Sequence, residues 1–421
     1  MIQIQTKKNT VKVFTDDLDA PTQKQIAATA RDPAYADSKI RVMPDTHAGR
    51  GCVIGMTMTL NSRVSPSLVG VDIGCGMEVV KLEENTLDLS ALDNFIRASI
   101  PSGKSIRDEA PTEADSIPLH KLICAEQVDL SRARRSLGTL GGGNHFIEID
   151  RDNDGSLYLV IHSGSRSLGA AIANHYRDLA YQQQCRKARR NARVMTRDRY
   201  DLEADRYDVT RFGVDAYGDE ARHIRPTAIT RATRRDSREK LPVKWETALC
   251  EGQLFHDYLH DMAIAVTFAE ENRRLIAREI CRGLDLHPQE RFSCVHNYVD
   301  DNRILRKGAI SARWGERVFI PLNMRDGALI GRGLGNPDWN FSAPHGAGRA
   351  CSRTDAKHAY SVEDYKRVMD AAGIFTTTAC KETLDECPMA YKSMDRILPY
   401  LSECVEIDAH IRPIYNFKSP D

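Results

Sequence analysis

A chain of 421 residues with 59 Lys plus Arg against 59 Asp plus Glu has no net charge, so global electrostatics do not single out a polyanionic partner. Its 41% apolar and 28% charged content is that of a folded globular protein and excludes a disordered or fibrous chain. Eleven cysteines, an odd number with no C-x-x-C pair, exclude a disulfide framework and a zinc ribbon; with no apolar run of signal-peptide length near Met1 and nothing long enough to span a membrane, the expectation is a cytoplasmic protein with reduced thiols and no membrane partner.

Short apolar runs broken by turns predict strands between Ile40 and Val80. Ile40-Arg41-Val42-Met43 leads into Pro44-Asp45-Thr46-His47, Val53 to Leu60 forms a second run, Val69-Gly70-Val71-Asp72-Ile73 leads to Cys75, and Met77 to Leu82 forms a third. Leu157-Tyr158-Leu159-Val160-Ile161 predicts a buried strand ending at His162. From Ala170 to about Gln184 apolar residues recur at helical spacing, and a longer helical pattern covers Cys250 to Ile280. Between them, residues 186–240 are rich in arginine (Arg186, Arg189, Arg190, Arg193, Arg197, Arg199, Arg231, Arg234, Arg235, Arg238) and poorly periodic. This stretch reads as an insertion outside the core, either a solvated helical excursion or a patch facing nucleic acid. No internal repeat or low-complexity linker divides the chain. Length alone would allow two or three domains, but clusters on both sides of the insertion must meet, which favours one compact α+β domain over 1–421 with a central sheet core flanked by helices.

Those clusters carry the chemistry. They read Val71-Asp72-Ile73-Gly74-Cys75-Gly76, Gly142-Gly143-Asn144-His145-Phe146, His162-Ser163-Gly164-Ser165-Arg166, His296-Asn297-Tyr298 and Pro344-His345-Gly346-Ala347-Gly348-Arg349. Thiolate, imidazole and carboxylate are the ligands of divalent transition metals, and adjacent glycines permit tight turns and close backbone approach. Asp72 and Cys75, three residues apart, can reach one ion. With His145, His162 and His296 they make a mixed donor set suited to Mn, Fe, Co or Zn rather than Mg or Ca, and one thiolate can bridge two ions. Any one of these residues alone is more often a core cysteine or a satisfied histidine. Two other histidine candidates are weaker: His256 and His260 at i, i+4 lack the Glu of a zincin motif, and His47 stands beside the more interesting Asp45.

Nucleotide signals are partial. Gly103-Lys104-Ser105 resembles the end of a phosphate loop, but Ala98 replaces its first glycine, and no K-x-D-G occurs. Gly138-Thr139-Leu140-Gly141-Gly142-Gly143-Asn144 offers backbone N–H groups to phosphate, a weak signal by itself. If a covalent nucleotide forms, His345 is the best-placed nucleophile, with Arg349 and Arg353 following at spacings that bring both guanidiniums to phosphate.

Taken together, these segments resemble the RtcB RNA-splicing ligases. The matching stretches are Met43-Pro44-Asp45, Val69 to Met77, Gly138 to Glu148, His162 to Arg166, His296-Asn297-Tyr298, Arg306-Lys307-Gly308-Ala309, Arg332 to Asn336 and His345 to Arg353. The resemblance implies a GTP- and Mn(II)-dependent enzyme that joins RNA 2′,3′-cyclic phosphate or 3′-phosphate ends to 5′-hydroxyl ends, in RNA repair or tRNA splicing, with an archease-like activator as a possible partner. By similarity Asp72, Cys75, His145, His162 and His296 hold two Mn(II) ions bridged by Cys75, and His345 becomes guanylylated. Asp45 is nominated, apart from that similarity, as the partner that holds the other ring nitrogen of His345. The guanylate-binding positions fall at Asn144, His145, Phe146, Ile147, Glu148, His296, Asn297, Pro321, Leu322, Asn323, Met324, Ala328, His345, Gly346, Ala347, Gly348 and Lys418. Arg166, Lys307, Arg349 and Arg353 are expected to hold RNA phosphates.

Departures from the family pattern are local. Pro321-Leu322-Asn323-Met324-Arg325-Asp326-Gly327-Ala328 stands where the family has P-G-S-M and a small polar stretch, which changes the guanylate contacts expected there. The reading has two competitors: a metal-dependent cyclic-phosphate phosphodiesterase that does not ligate, and a noncatalytic RNA-binding homologue. The first needs the metal ligands but not His345 or Lys418, and the second needs neither.

Overall fold

The structure, a computed structural model, describes residues 1–206 and 244–419, and for 191–206 the backbone alone. Its strands form two large sheets. One has six strands in the order Ile2–Gln5, Thr10–Val13, Ile40–His47, Ile54–Thr59, Ile304–Lys307, Asn297–Val299. The other has seven, in the order Pro288–Val295, Gly76–Leu82, Leu157–Ser163, Phe146–Arg151, Val405–Lys418, Gly327–Gly333, Arg317–Asn323. The strand Val405–Lys418 joins the two halves of the second sheet, pairing through its first part with Gly327–Gly333 and through its last with Phe146–Arg151. The expected α+β architecture, sheets at the centre and helices outside, is the one adopted.

Residue alternation sets what each face of the second sheet meets. Leu157, Leu159, Ile161, Ile147, Ile149, Tyr415 and Phe417 point to one side, where they pack against Leu92 and Ile96 of the helix Leu89–Ser99 and Ile276 and Ile280 of the helix Gln253–Gly283. Tyr158 and Val160 point the other way, into a core shared with Met43 of the first sheet and with Phe14, just past the strand Thr10–Val13. Each large aliphatic side chain removed from water in these cores stabilises the fold by about 1.5–3 kcal/mol before entropy is counted. His162, Phe146, Glu148, Asn416 and Lys418 fall on this second face, so the strand period delivers several chemically active side chains to one side of the sheet.

The helices differ from expectation at their ends. The pattern seen over 170–184 belongs to a helix that starts at Arg166 and runs to Arg206, taking in Arg186, Arg189, Arg190, Arg193, Arg197 and Arg199. That stretch is dense in Ala, Gln, Lys and Arg, all good helix formers, so it needs no apolar stripe to continue. The rest of the Arg-rich segment, including Arg231, Arg234, Arg235 and Arg238, lies outside the described residues. Cys250 is not helical: Cys250–Glu251 pairs with Arg63–Val64, and the helix begins at Gln253.

Candidate active site

Five side chains from four separate segments converge at one point. Asp72 and Cys75 lie on the turn entering the strand Gly76–Leu82, His145 precedes Phe146–Arg151, His162 is next to last in Leu157–Ser163, and His296 follows Pro288–Val295. Cys75 Sγ lies 3.2 Å from His162 Nε2 and 3.6 Å from His145 Nε2, and His145 Nε2 lies 3.0 Å from Asp72 Oδ2. The donors form two groups within 4.8 Å, Asp72–Cys75–His145 and Cys75–His162–His296, and Cys75 belongs to both. Gly164 allows this closeness, since any Cβ there would collide with the Asp72 carboxylate.

Hydrogen bonds decide which ring nitrogens face inward. His145 Nδ1 donates to Leu140 O at 2.8 Å and His162 Nδ1 to Asn144 O at 3.0 Å. A carbonyl can only accept, so both rings carry their proton on Nδ1 and turn an Nε2 lone pair to the cluster. Lone pairs of nitrogen and oxygen therefore crowd around Cys75 with one S–H proton to share among them, a surplus of donors to a cation that a metal ion would satisfy. Burial, with the neighbouring histidines, holds the His162 and His296 imidazoles well below their ordinary pKa. Burial and the Asp72 charge push the Cys75 thiol well above its own. The donor set fits a divalent transition metal, whose charge would hold the thiolate that burial disfavours.

The first part of the Gly138–Asn144 loop is committed within the protein. Gly138 N and Thr139 N donate to Asn272 Oδ1 at 2.7 and 3.1 Å, and Leu140 N donates to Pro101 O. These N–H groups are engaged within the protein, while the loop's carbonyls orient His145 and His162. Asn272 and its neighbour Arg273, both fully buried on the helix Gln253–Gly283, clamp the surrounding backbone. Asn272 Nδ2 donates to Thr139 O, Ser163 Oγ and Gly164 O, and Arg273 donates to Gly74 O at 2.8 Å, Ser163 O at 3.0 Å and Ser293 Oγ at 3.2 Å. Sequence reading saw only an apolar helix here; a polar pair inside an otherwise apolar stripe was the available signal. Arg273→Met should lower stability by on the order of 3 kcal/mol, because two buried carbonyls lose their donor. Urea unfolding of the metal-free protein measures this, and an unchanged midpoint would show that water replaces the guanidinium.

A cavity of about 870 Å³ opens above the cluster, lined by Asp72, Cys75, His162, His296 and His345. His345 follows the short strand Ser342–Pro344, and its ring centroid lies 5.0 Å from that of His296. Its Nδ1 lies 2.7 Å from Asp45 Oδ2, and its backbone N donates to the same oxygen at 3.2 Å. Asp45 is fully buried on Ile40–His47, where pairing with the next strand is interrupted between Val42 and His47 around Pro44, which has no N–H to give a ladder. Gly348, at φ +76°, lets the His345 loop close against the Asp45 carbonyl, which a Cβ would strike.

Most of the remaining expected nucleotide positions line this cavity: Asn144, Phe146, Glu148, Asn297, Pro321, Leu322, Asn323, Met324, Gly346, Ala347, Gly348 and Lys418. Two do not. Ile147 lies on the opposite face of its strand, in the core beneath the helices, and Ala328 is buried where Gly327–Gly333 pairs with Val405–Lys418. In the divergent segment, Asn323 Oδ1 accepts from Arg325 N and Asp326 N, so its carbonyl oxygen closes its own turn.

The four cations expected at RNA phosphates separate into two pairs. Arg349 and Arg353 line the cavity, and with Lys418 they meet the buried Glu386, each at 3.1 Å. Arg353 also reaches Asp385. Burial raises the Glu386 carboxyl, but Lys418, Arg353 and Arg349 outweigh it and hold it below its ordinary pKa. Glu386 and Tyr391, which donates to it, were not anticipated; they belong to no recognisable motif, and only the uncompensated cations hinted at a counter-charge. Arg166 instead donates to Thr139 Oγ1 and Gly103 O, bracing the glycine-rich loop. Lys307 is buried, with its ammonium on Arg50 O and Ser67 O. Neither lines the cavity. Of the weaker metal candidates, His260 bonds to Lys121 O, and neither it nor His256 joins a ligand group among the described residues.

A buried cluster of thiol, imidazole and carboxylate that could hold a metal ion lies on the floor of a large cavity, with a carboxylate-braced histidine in its wall. Comparison with known proteins gives the lineage. The chain belongs to the RtcB family: the family described as tRNA-splicing ligase RtcB matches residues 25–124, 112–207 and 222–419. It is similar to the RNA-splicing ligase RtcB of Escherichia coli (strain K12), 30% identical over 97% of both chains. It is also similar to the tRNA-splicing ligase RtcB of Aeropyrum pernix, 26% identical over 85% of this chain and 82% of that one. No helix among the described residues is long and apolar enough to cross a membrane.

Proposed function

We propose that this protein is a GTP- and Mn(II)-dependent RNA ligase that joins 2′,3′-cyclic phosphate or 3′-phosphate ends to 5′-hydroxyl ends through a guanylylated His345. The observation that carries the reading is the Asp45–His345 contact. The buried Asp45 carboxylate at 2.7 Å takes the hydrogen bond of Nδ1, so the neutral His345 ring presents its lone pair on Nε2, beside the His296 edge of the cluster. That nitrogen is a nucleophile of fixed orientation. Asp72, Cys75 and His145 would hold one ion and Cys75, His162 and His296 a second; bound there, they neutralise phosphate charge.

The chain's own residues supply the rest. His345 Nε2 attacks the α-phosphorus of GTP, a P–N bond forms and pyrophosphate leaves. An RNA 3′-phosphate oxygen then takes the GMP from His345, which turns a poor electrophile into one with GMP as its leaving group. The 5′-hydroxyl displaces that GMP and seals the strand. A cyclic phosphate must first be opened by water. Arg349, Arg353 and Lys418 set positive charge along the wall where triphosphate and RNA phosphates enter, balanced in their absence by Glu386. Glu148 and Lys418 contribute an acceptor and a donor for the nucleotide on the same sheet face.

Incubation with α-labelled GTP and Mn(II) should leave an acid-labile label on the protein, which RNA bearing a 3′-phosphate should discharge. A protein that never takes the label, but opens cyclic phosphates, would be the phosphodiesterase instead. An archease-like activator, if used, should raise the rate of labelling without changing its site.

A further inference from the structure

Within the cavity wall one imidazole has no part in the scheme above. His47 ends the strand Ile40–His47 and lines the same cavity as His345 and the metal cluster. Its Nδ1 lies 3.1 Å from Asp45 O. The carbonyl only accepts, so the proton is on Nδ1, and the ring's polar contribution to the cavity is the Nε2 lone pair. Asp45 thus orients two histidines at once, His345 through its carboxylate and His47 through its carbonyl.

The other groups around His47 keep it neutral. Burial pushes its pKa down to about 4; the Asp45 carbonyl and carboxylate oppose that push, while His345 and Lys392 add to it. Lys392 is fixed nearby, donating to Thr46 O at 3.1 Å. A neutral ring with a bare nitrogen is a hydrogen-bond acceptor, and the cavity's other lining imidazoles are already assigned, His162 and His296 to metal and His345 to the nucleotide. The reaction proposed above leaves one proton without a destination, that of the RNA 5′-hydroxyl. Anionic phosphates entering the cavity favour the imidazolium, so His47 becomes a stronger base when substrate arrives.

We propose that His47 Nε2 is the general base of the sealing step, accepting the proton of the RNA 5′-hydroxyl. This rests on the ligase reading. The hydroxyl oxygen forms a bond to the phosphorus of the activated 3′ end, and the bond from that phosphorus to GMP breaks. GMP leaves with the electron pair, and the hydroxyl proton passes to His47 Nε2. The imidazolium then returns the proton to solvent or to the departing GMP.

The test separates the three chemical steps in a single turnover, with labelled GTP and RNA carrying a 3′-phosphate and a 5′-hydroxyl. In His47→Ala and His47→Gln, labelling of the protein and transfer of GMP to the RNA 3′ end should proceed near the wild-type rate. Sealing should slow by about 100-fold or more, so guanylylated RNA accumulates. Added imidazole should partly restore sealing in His47→Ala. Nitrogen NMR of the wild-type protein should independently show His47 as the Nδ1–H tautomer. Unslowed sealing, or an Nε2–H tautomer, overturns the assignment. A parallel fall in labelling overturns it too, since His47 would then serve only to brace Asp45 and His345. If the wild-type protein itself takes no GMP, the ligase reading fails, and the role of His47 in it fails with it.

Discussion

His345→Ala is expected to bind GTP yet carry no covalent GMP, and to ligate at no detectable rate. The expectation follows from geometry: His345 is the cavity histidine whose Nδ1 is held by a buried carboxylate while its ring borders the metal cluster. Removing the ring deletes the attacking atom, not a contact that modulates it, so the loss should be total. Nucleotide binding should survive, because Phe146, Glu148 and Lys418 lie on the neighbouring sheet and do not depend on the imidazole. Protein labelling and GTP affinity, measured side by side, check both halves. Label persisting on the variant would place the nucleophile elsewhere, and loss of both would mean that the loop had collapsed. Asp45→Asn is the milder companion. It keeps the shape but no longer offers a charged acceptor to His345 Nδ1, so labelling should slow rather than vanish.

Cys75→Ala should empty both metal positions. Cys75 is the only donor common to the two ligand groups, so its loss leaves Asp72 and His145 on one side and His162 and His296 on the other, two donors each. Metal content after dialysis against trace Mn(II) should fall to background, read by elemental analysis and independent of any activity. Asp72→Ala should behave differently, leaving Cys75, His162 and His296 intact and retaining part of the metal. Cys404→Ala is the control. It removes an equally buried thiol from the core between the sheets, at a packing cost but with no ligand lost. Wild-type metal content in Cys75→Ala would mean that the constellation is not a metal site.

How far these residues could be read in one dimension depends on what kind of interaction selects them. Asp72, Cys75, His145, His162 and His296 were legible because each carries metal-binding chemistry and stands beside glycine or at a strand end, and those features are local. Asp45 was nominated as the partner of His345 without any local pattern to join them; the structure adds the contact itself, 300 residues apart in the chain. Glu386, Asn272 and Arg273 were invisible for a related reason. A carboxylate in a Cys- and Pro-flanked turn, or an Asn-Arg pair on a helix, has no pattern of its own, and its importance comes only from what the fold brings to it.

Local pattern by itself pointed to the strands between residues 40 and 60, at 77–82 and at 157–161, to the helical stretches at 170–184 and within 250–280, and to the Asp, Cys and His donors that converge, because apolar periodicity and ligand chemistry are properties of neighbouring residues. Tertiary structure alone decided the use of each polar group. Strand alternation turned Ile147 into the core while its neighbours Phe146 and Glu148 faced the cavity. Carbonyls within reach engage Lys307 and Arg166 away from the cavity, and the buried carboxylate of Glu386 gathers Arg349, Arg353 and Lys418 around it. A long cation satisfies whichever acceptor the fold places within its reach, and residue order does not specify which acceptor that is.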